Sequence, residues 1–277
     1  MRKGRKGFRH LRGHCEAFAS FALRCFFALA LLALFLPSPG WAACTGVVAG
    51  DGTRLWRAAV SEDTVSISFL GHASFLIESP GGVRAVTDYN DLIRAPTTPD
   101  IVTMNVAHTT HWTDHIEPGV KFVLRGWDPD GGMARHNVEY RDVRVHNVPT
   151  NIRDFGATRH NGNSIFVFDT AGLCIAHLGH LHHTLTEAHL ADIGPIDIVM
   201  VPVDGAFTLN QDDMVTVLQQ LKPKIALPMH FFGETTLARF LARAGEHYQV
   251  RRLGEPQIRV TRADLPRDPE ILVLPGR

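Results

Sequence analysis

Residues 64–88 read Thr-Val-Ser-Ile-Ser-Phe-Leu-Gly-His-Ala-Ser-Phe-Leu-Ile-Glu-Ser-Pro-Gly-Gly-Val-Arg-Ala-Val-Thr-Asp. Val65, Ile67 and Phe69 alternate with Ser66 and Ser68, the period of a strand with one buried face. Gly71-His72 interrupts the pattern as a turn, and Ala73–Glu78 continues as a second strand. Pro80-Gly81-Gly82 makes a tight connection, and Val83–Asp88 forms a third strand that ends on an acid.

Strand patterns continue beyond this opening. Ile101–Met104 is a short apolar run into a histidine-rich loop, and Lys121–Leu124, Glu139–Val148, Ser164–Asp169 and Leu173–His177 follow. The last two are joined by a Thr170-Ala171-Gly172 turn. Ile196–Pro202 and Lys224–Pro228 read as strands buried on both faces. Helical spacing appears late. Met214, Val217, Leu218 and Leu221 share a face behind an Asn210/Asp213 capping pair. Leu237, Phe240, Leu241 and Ala244 share another, and a shorter helix starts near Thr186. Strands first, then strands alternating with helices, predict an α/β fold of two sheets packed face to face with helices outside. Loops at one end of the strands would carry the site.

Toward the N-terminus the chain changes character. Residues 1–20 hold six of the leader's seven basic residues against Glu16, and Cys25–Leu36 is an apolar run of 12. Pro37 through Ala43 ends that stretch with small residues flanking Trp41. This reads as a secretory signal peptide over residues 1–43, since a spanning helix needs about 20 apolar residues. Cleavage after Ala43 would expose Cys44, so a lipid anchor there is the alternative. The whole chain has 28 basic and 28 acidic residues, and losing the leader's seven and one leaves 21 against 27, a net of −6. That balance speaks against a nucleic-acid partner. A membrane would enter only through the Cys44 anchor. The expectation is an exported, periplasmic protein acting on a small molecule. The remaining 234 residues suit one domain, 44–277. Cys174 lies in an apolar run and reads as core.

The histidines carry the chemical signal. His108, His111 and His115 share a loop with Asp114; His177, His180, His182 and His183 crowd another; His230 follows the strand Ile225–Met229. A lone histidine is usually structural, but three clusters after three strands point to a metal, because neutral imidazole is the commonest metal ligand.

Phe69–Glu78 with Val86-Thr87-Asp88, then Asp100–Ile116, Cys174–His180, Val201–Gly205 and Ile225–His230, in this order and spacing, resemble the metallo-β-lactamase superfamily. The branch they resemble contains ascorbate-6-phosphate lactonases and N-acyl-phosphatidylethanolamine phospholipase D. The resemblance spans about residues 64–245 and implies a four-layer αββα sandwich with zinc-activated water attacking an ester, lactone or phosphodiester. It is imperfect. Laid on the family's H-x-H-x-D-H without gaps, residues 106–111 supply only His108 and His111; a one-residue bulge would use His111, Asp114 and His115 instead. Asn151 stands near the family's middle histidine, with His146 or His160 as substitutes. His180 stands at the bridging aspartate. An imidazole offers one lone pair where a carboxylate can hold two metals, so one zinc ion is expected rather than two.

The metal residues this implies are His108, His111, His180 and His230. Asp114 is the catalytic candidate for orienting water or shuttling its proton. His72, His115, His182 and His183 are expected to support the site or face substrate. Asp88 matches a site-supporting aspartate of the family or serves a turn, and His177 either orients a ligand or packs in the core. The competing reading is a non-catalytic metal-binding or sensing protein on a degenerate fold. No G-x-S-x-G elbow is present, which speaks against a serine hydrolase.

Overall fold

The computed structural model describes residues 63–154 and 156–276. The signal-peptide reading and Cys44 lie outside them. The first three strands are β1 (Val65–Gly71), β2 (Ser74–Glu78) and β3 (Arg84–Val86). With β4 (Ile101–Met104), β5 (Phe122–Arg125) and β13 (Gln257–Val260) they make a six-stranded sheet in the order β13-β1-β2-β3-β4-β5. The second sheet has eight strands. They are β6 (Asn137–Tyr140), β7 (Val143–Asp154), β8 (Ala157–Thr170), β9 (Leu173–His177), β10 (Ile198–Pro202), β11 (Ile225–Met229), β12 (Gln249–Arg252) and β14 (Glu270–Val273). Their order is β12-β14-β11-β10-β9-β8-β7-β6.

Alternation along the strands builds the layers. Ile67, Phe69, Phe75 and Ile77 of the first sheet meet Phe166, Phe168, Ile175, Met200 and Leu227 of the second, all buried. Burial of each such side chain is worth roughly 1.5–3 kcal/mol. The other face of the eight-stranded sheet presents Val167, Ala176, Val199, Val201 and Ala226 to the helices. These are α1 (Glu187–Ile193), α2 (Gln211–Leu221) and α3 (Glu234–Ala244). Thr186 caps α1 in a capping box with His189, and the Asn210 side chain accepts the Asp213 N–H at the start of α2. On the outside of the six-stranded sheet, Leu76, Val86, Val102 and Met104 are covered by Tyr89, Trp112, Ile116 and Trp127. Among the described residues that layer is loop rather than helix.

Three details differ from the sequence reading. Arg141, at φ 53°, starts a turn that splits the expected strand 139–148 into β6 and β7. The strand expected at 164–169 begins at Ala157, because the mostly polar residues 157–163 pair with 150–154 in a long hairpin arm. Cys174 is buried as expected, but it is also disulfide-bonded.

The strand directions decide where chemistry can sit. β3, β4 and β5 run parallel, as do β9, β10 and β11. Their carboxyl ends therefore open on one edge, and the loops that follow them meet there.

Candidate metal centre

Each participating side chain comes from the turn or loop that ends a strand. The β1–β2 turn supplies His72, β3 leads to Asp88, β4 to His108 and His111, β9 to His180, β10 to Asp204, and β11 to His230. His72, Asp88 and His230 have φ of 49°, 43° and 53°. This is left-handed backbone, which costs a residue other than glycine roughly 1–3 kcal/mol and tends to persist at functional sites. The His230 backbone N–H donates to the His72 carbonyl at 2.7 Å, which ties the two turns together. Their rings stand 4.2 Å apart.

One ring nitrogen from each of His72, His108, His111 and His230 lies within 4.8 Å of the other three. Two carboxylates set the tautomers. His111 Nδ1–H donates to Asp88 Oδ2 at 2.5 Å, and His230 Nδ1–H donates to Asp204 Oδ1 at 3.0 Å. Both imidazoles therefore turn an Nε2 lone pair away from the carboxylate. The Nε2 atoms of His72, His111 and His230 are all buried without a partner. Three converging, unpartnered buried nitrogens fit a metal ion, since such groups otherwise cost about 1–3 kcal/mol apiece. Burial also holds His111 well below the ordinary histidine range and His72 at about 4, which keeps these rings neutral and able to ligate.

The carboxylates themselves are firmly held. Asp88 is fully buried and also accepts from Asn105 Nδ2 at 3.1 Å; burial raises its pKa to about 6. Asp204 Oδ2 accepts the backbone N–H groups of Ala206, Phe207 and Thr208, and its Oδ1 accepts the Thr208 hydroxyl. Burial alone would raise the Asp204 pKa, but hydrogen bonds from His230, Thr208 and Ala206 outweigh it and hold the carboxyl well below the usual range.

His180 follows a different logic. The Arg153 backbone N–H and Nε–H both donate to His182 Nδ1, at 3.0 and 3.1 Å. A backbone N–H has no other role to take, so the His182 proton sits on Nε2. That proton goes to His180 Nδ1 at 2.6 Å. The His180 proton is thereby placed on Nε2, directed at His108 Nε2 at 3.2 Å, and His108 Nδ1–H donates to Thr110 Oγ1 at 2.7 Å. In this arrangement His180 presents a donor to the site, while His108 keeps the lone pair.

Of the residues singled out from the sequence, the structure brings His72, His108, His111, His180 and His230 into one cluster, with His182 beside it. Asp114 is exposed and pairs with Arg125, and exposed His115 pairs with Asp91. His183 accepts the Asn151 N–H at Nε2 and donates from Nδ1 to the Thr184 carbonyl, a clamp between loop and hairpin. His177 donates to the Ala73 carbonyl and accepts the Gly179 N–H, a structural pin with both nitrogens used. His146 and His160 are outside the metal-type cluster.

Asp204 is the functional residue that the sequence reading passed over. It follows β10 as His230 follows β11, and Gly205 after it marks the turn. A search of strand ends for acids as well as histidines would have found it.

Beside the cluster lies a cavity of about 190 Å³, lined by Ala107, His108, His180, His182 and side chains of the β7–β8 arm. A larger groove of about 340 Å³ is lined by residues 222–224 and 247–248, at the opposite ends of the strands. It contains none of the clustered histidines.

This architecture and site have known counterparts. Residues 66–230, more than half of the chain, match the family described as the beta-lactamase superfamily domain. The chain belongs to that superfamily. It is 28% identical over 193 residues to a UPF0173 metal-dependent hydrolase of Carboxydothermus hydrogenoformans, covering 60% of this chain and 84% of that one. A homologous UPF0173 metal-dependent hydrolase of Thermococcus kodakarensis is 26% identical over 190 residues, with the same coverage. Among solved structures, a protein of Thermotoga maritima assigned as a Zn-dependent hydrolase of the metallo-β-lactamase superfamily aligns with TM-score 0.57 and 27% identity. That alignment covers 77% of this chain and all of the other. A metallo hydrolase of Ignicoccus hospitalis shares the fold at TM-score 0.53 and 16% identity, over 77% and 97% of the two chains.

Proposed function

We propose that this metal-dependent hydrolase of the β-lactamase superfamily works with a single zinc ion and cleaves an ester, lactone or phosphodiester bond in a small molecule. The observation that carries the reading is the convergence of the unpartnered, buried Nε2 atoms of His72, His111 and His230. Three protein nitrogens with a fourth position open is the arrangement of a catalytic rather than a structural zinc. When bound, zinc supplies Lewis acidity and lowers the pKa of water to about 7.

The protein's own residues prepare that chemistry. Asp88 and Asp204 fix the ring orientation and tautomer of His111 and His230, a supporting role that typically matters 10–100-fold for metal affinity. His108 stands on the exposed side of the cluster, where its Nε2 lone pair can take a proton. His180 directs an N–H into the site, a donor for negative charge that develops on substrate oxygen. This reading moves the acid–base role from exposed Asp114 to His108, and makes His180 a donor rather than a ligand.

The same proposal includes export to the periplasm, with residues 1–43 removed. Its support is the basic-then-apolar leader and the disulfide-bonded Cys174, which suits an oxidising compartment. Among the described residues no helix is long and apolar enough to cross a membrane.

The test is metal analysis followed by a substrate screen. About one zinc per chain, with turnover abolished in both His111→Ala and His230→Ala, is expected. Two ions per chain would refute the single-metal reading. Turnover that survives both substitutions would refute the hydrolytic site.

A further inference from the structure

The cavity beside the histidine cluster has a chemistry of its own. The long β7–β8 arm brings Arg153 and Arg159 to its wall, and Phe207 comes from the loop after β10. No carboxylate of the described residues lines the cavity. Neither guanidinium has an ion-pair partner among the described residues, in contrast to Arg94, Arg125, Arg243, Arg251, Arg252 and Arg262. Arg153 is held in place: its Nη2 donates to the Thr208 carbonyl at 2.6 Å and its Nε to His182. Arg159 is exposed, and its side chain makes no hydrogen bond among the described residues.

The aromatic side is equally specific. Phe207 and Phe232 are 63% and 60% exposed, which is unusual for residues of this size. Their rings meet edge to face at 5.5 Å. Phe232 also stands 5.3 Å from the His230 ring and 5.8 Å from His72. Two exposed phenylalanines in contact beside a metal-type cluster form an apolar landing surface rather than scattered surface residues.

We infer that the substrate is an amphiphilic anion, with a phosphate- or carboxylate-type group bound by Arg159 and an aryl or similar apolar group packed on Phe207 and Phe232. A planar guanidinium with free donors matches a phosphate or carboxylate in two-point contact. Arg153 adds its charge from the side and holds the loop that carries Phe207. The labile bond of such a substrate would lie between these two ends, over the histidines. This inference rests on the hydrolase reading only for the fate of the substrate, not for its binding.

The experiment is calorimetric titration of the zinc-loaded protein with phenylphosphonate, methylphosphonate and benzyl alcohol, for wild type, Arg159→Ala and Phe207→Ala. Wild type should bind phenylphosphonate at least ten-fold tighter than methylphosphonate and should bind benzyl alcohol far more weakly. R159A should lose about ten-fold for both phosphonates. F207A should lose the preference for phenyl over methyl while retaining methylphosphonate binding. Both positions are exposed, and matching thermal melts would confirm intact folds. Equal binding of the two phosphonates by wild type, or R159A within two-fold of wild type, overturns the inference. The two readings separate cleanly. Selective binding without turnover of phosphonate-matched esters removes hydrolysis and leaves this site. Fast turnover of neutral esters, unaffected by R159A, does the reverse.

Discussion

Replacing Asp204 by Asn exchanges one oxygen for an NH2 group and should disable the proposed metal ligand His230 at a distance. Asp204 Oδ2 receives three backbone N–H groups, at 2.8 Å from Ala206, 2.5 Å from Phe207 and 3.2 Å from Thr208. In Asp204→Asn these donors would claim the amide oxygen, so the NH2 would occupy the place of Oδ1. That place now faces His230 Nδ1 at 3.0 Å. Two donors cannot share the contact, and His230 relieves it by carrying its proton on Nε2. The buried nitrogen aimed at the cluster then has no lone pair. Loss of a supporting carboxylate typically costs 10–100-fold in metal affinity, which is about 1.4–2.7 kcal/mol, and loss of a ligand outright belongs at the upper end. Zinc affinity measured by competition with a chromophoric chelator should fall about 100-fold. Histidine ¹⁵N spectra of the metal-free protein should show the His230 proton moved to Nε2. Wild-type affinity within two-fold, with Nε2 still unprotonated, would refute the tautomer argument.

Further outcomes follow from the same network. Gly179→Ala should abolish soluble, metal-binding protein, because at φ +59° a Cβ would lie 2.4 Å from both Asn105 Nδ2 and Asn163 Oδ1; circular dichroism and zinc content would show it. Asp88→Asn should weaken zinc binding as Asp204→Asn does, since its Oδ1 is fixed by the Asn105 donor and its Oδ2 by His111. The metal-free protein should lose stability as pH falls from about 6.5 to 4. His72 and His182 are lowered to about 4, and burial holds His111 well below the ordinary histidine range, so the unfolded chain binds more protons in that window, each histidine contributing up to about 1.4 kcal/mol per pH unit. Asp88, raised to about 6, opposes this between about 4 and 6 but is outnumbered; urea unfolding at pH 7 and 5 that shows equal or greater stability at pH 5 would overturn the assignment.

The sequence made the frame legible because strand periodicity and cap chemistry are local. The 64–88 stretch yielded β1, the turn and β2, and the Asn210/Asp213 pair located the start of α2. Histidines after β4, β9 and β11 were conspicuous for the same reason. What escaped depends on contacts distant in sequence. His72 was expected to support the site or face substrate, but its place beside His230 comes from a backbone bond between a hairpin turn and a strand end 158 positions later. Asp204 and Arg153 act through partners 26 and 29 positions away. The edge strand β13 closes the first sheet by pairing with β1 across almost the whole domain. Short polar strands such as β12 carry too little apolar pattern to announce themselves; all four of its residues are exposed.

The role of His180 can be decided by removing its neighbour. His182 transmits a constraint: the Arg153 N–H fixes the His182 proton on Nε2, and that proton fixes His180 as a donor toward His108. If His180 were instead a ligand through Nε2, its Nδ1 would have to donate to His182, whose own proton would then point at the Arg153 N–H, donor against donor. His182→Phe deletes the link while keeping a ring of similar shape in the cavity wall. With Nδ1 released, the His180 proton can move there, and the Nε2 lone pair becomes available to the metal. Zinc affinity should therefore stay level or rise, while turnover falls because the donor into the site is gone. A supported ligand behaves in the opposite way, losing 10–100-fold in affinity when its hydrogen-bonding partner is removed. A fall of that size in H182F, with the fold intact by thermal melt, would make His180 a ligand and refute the donor assignment. The substitution thus separates two sites that share the same histidines and differ in where His180 and His182 carry their protons.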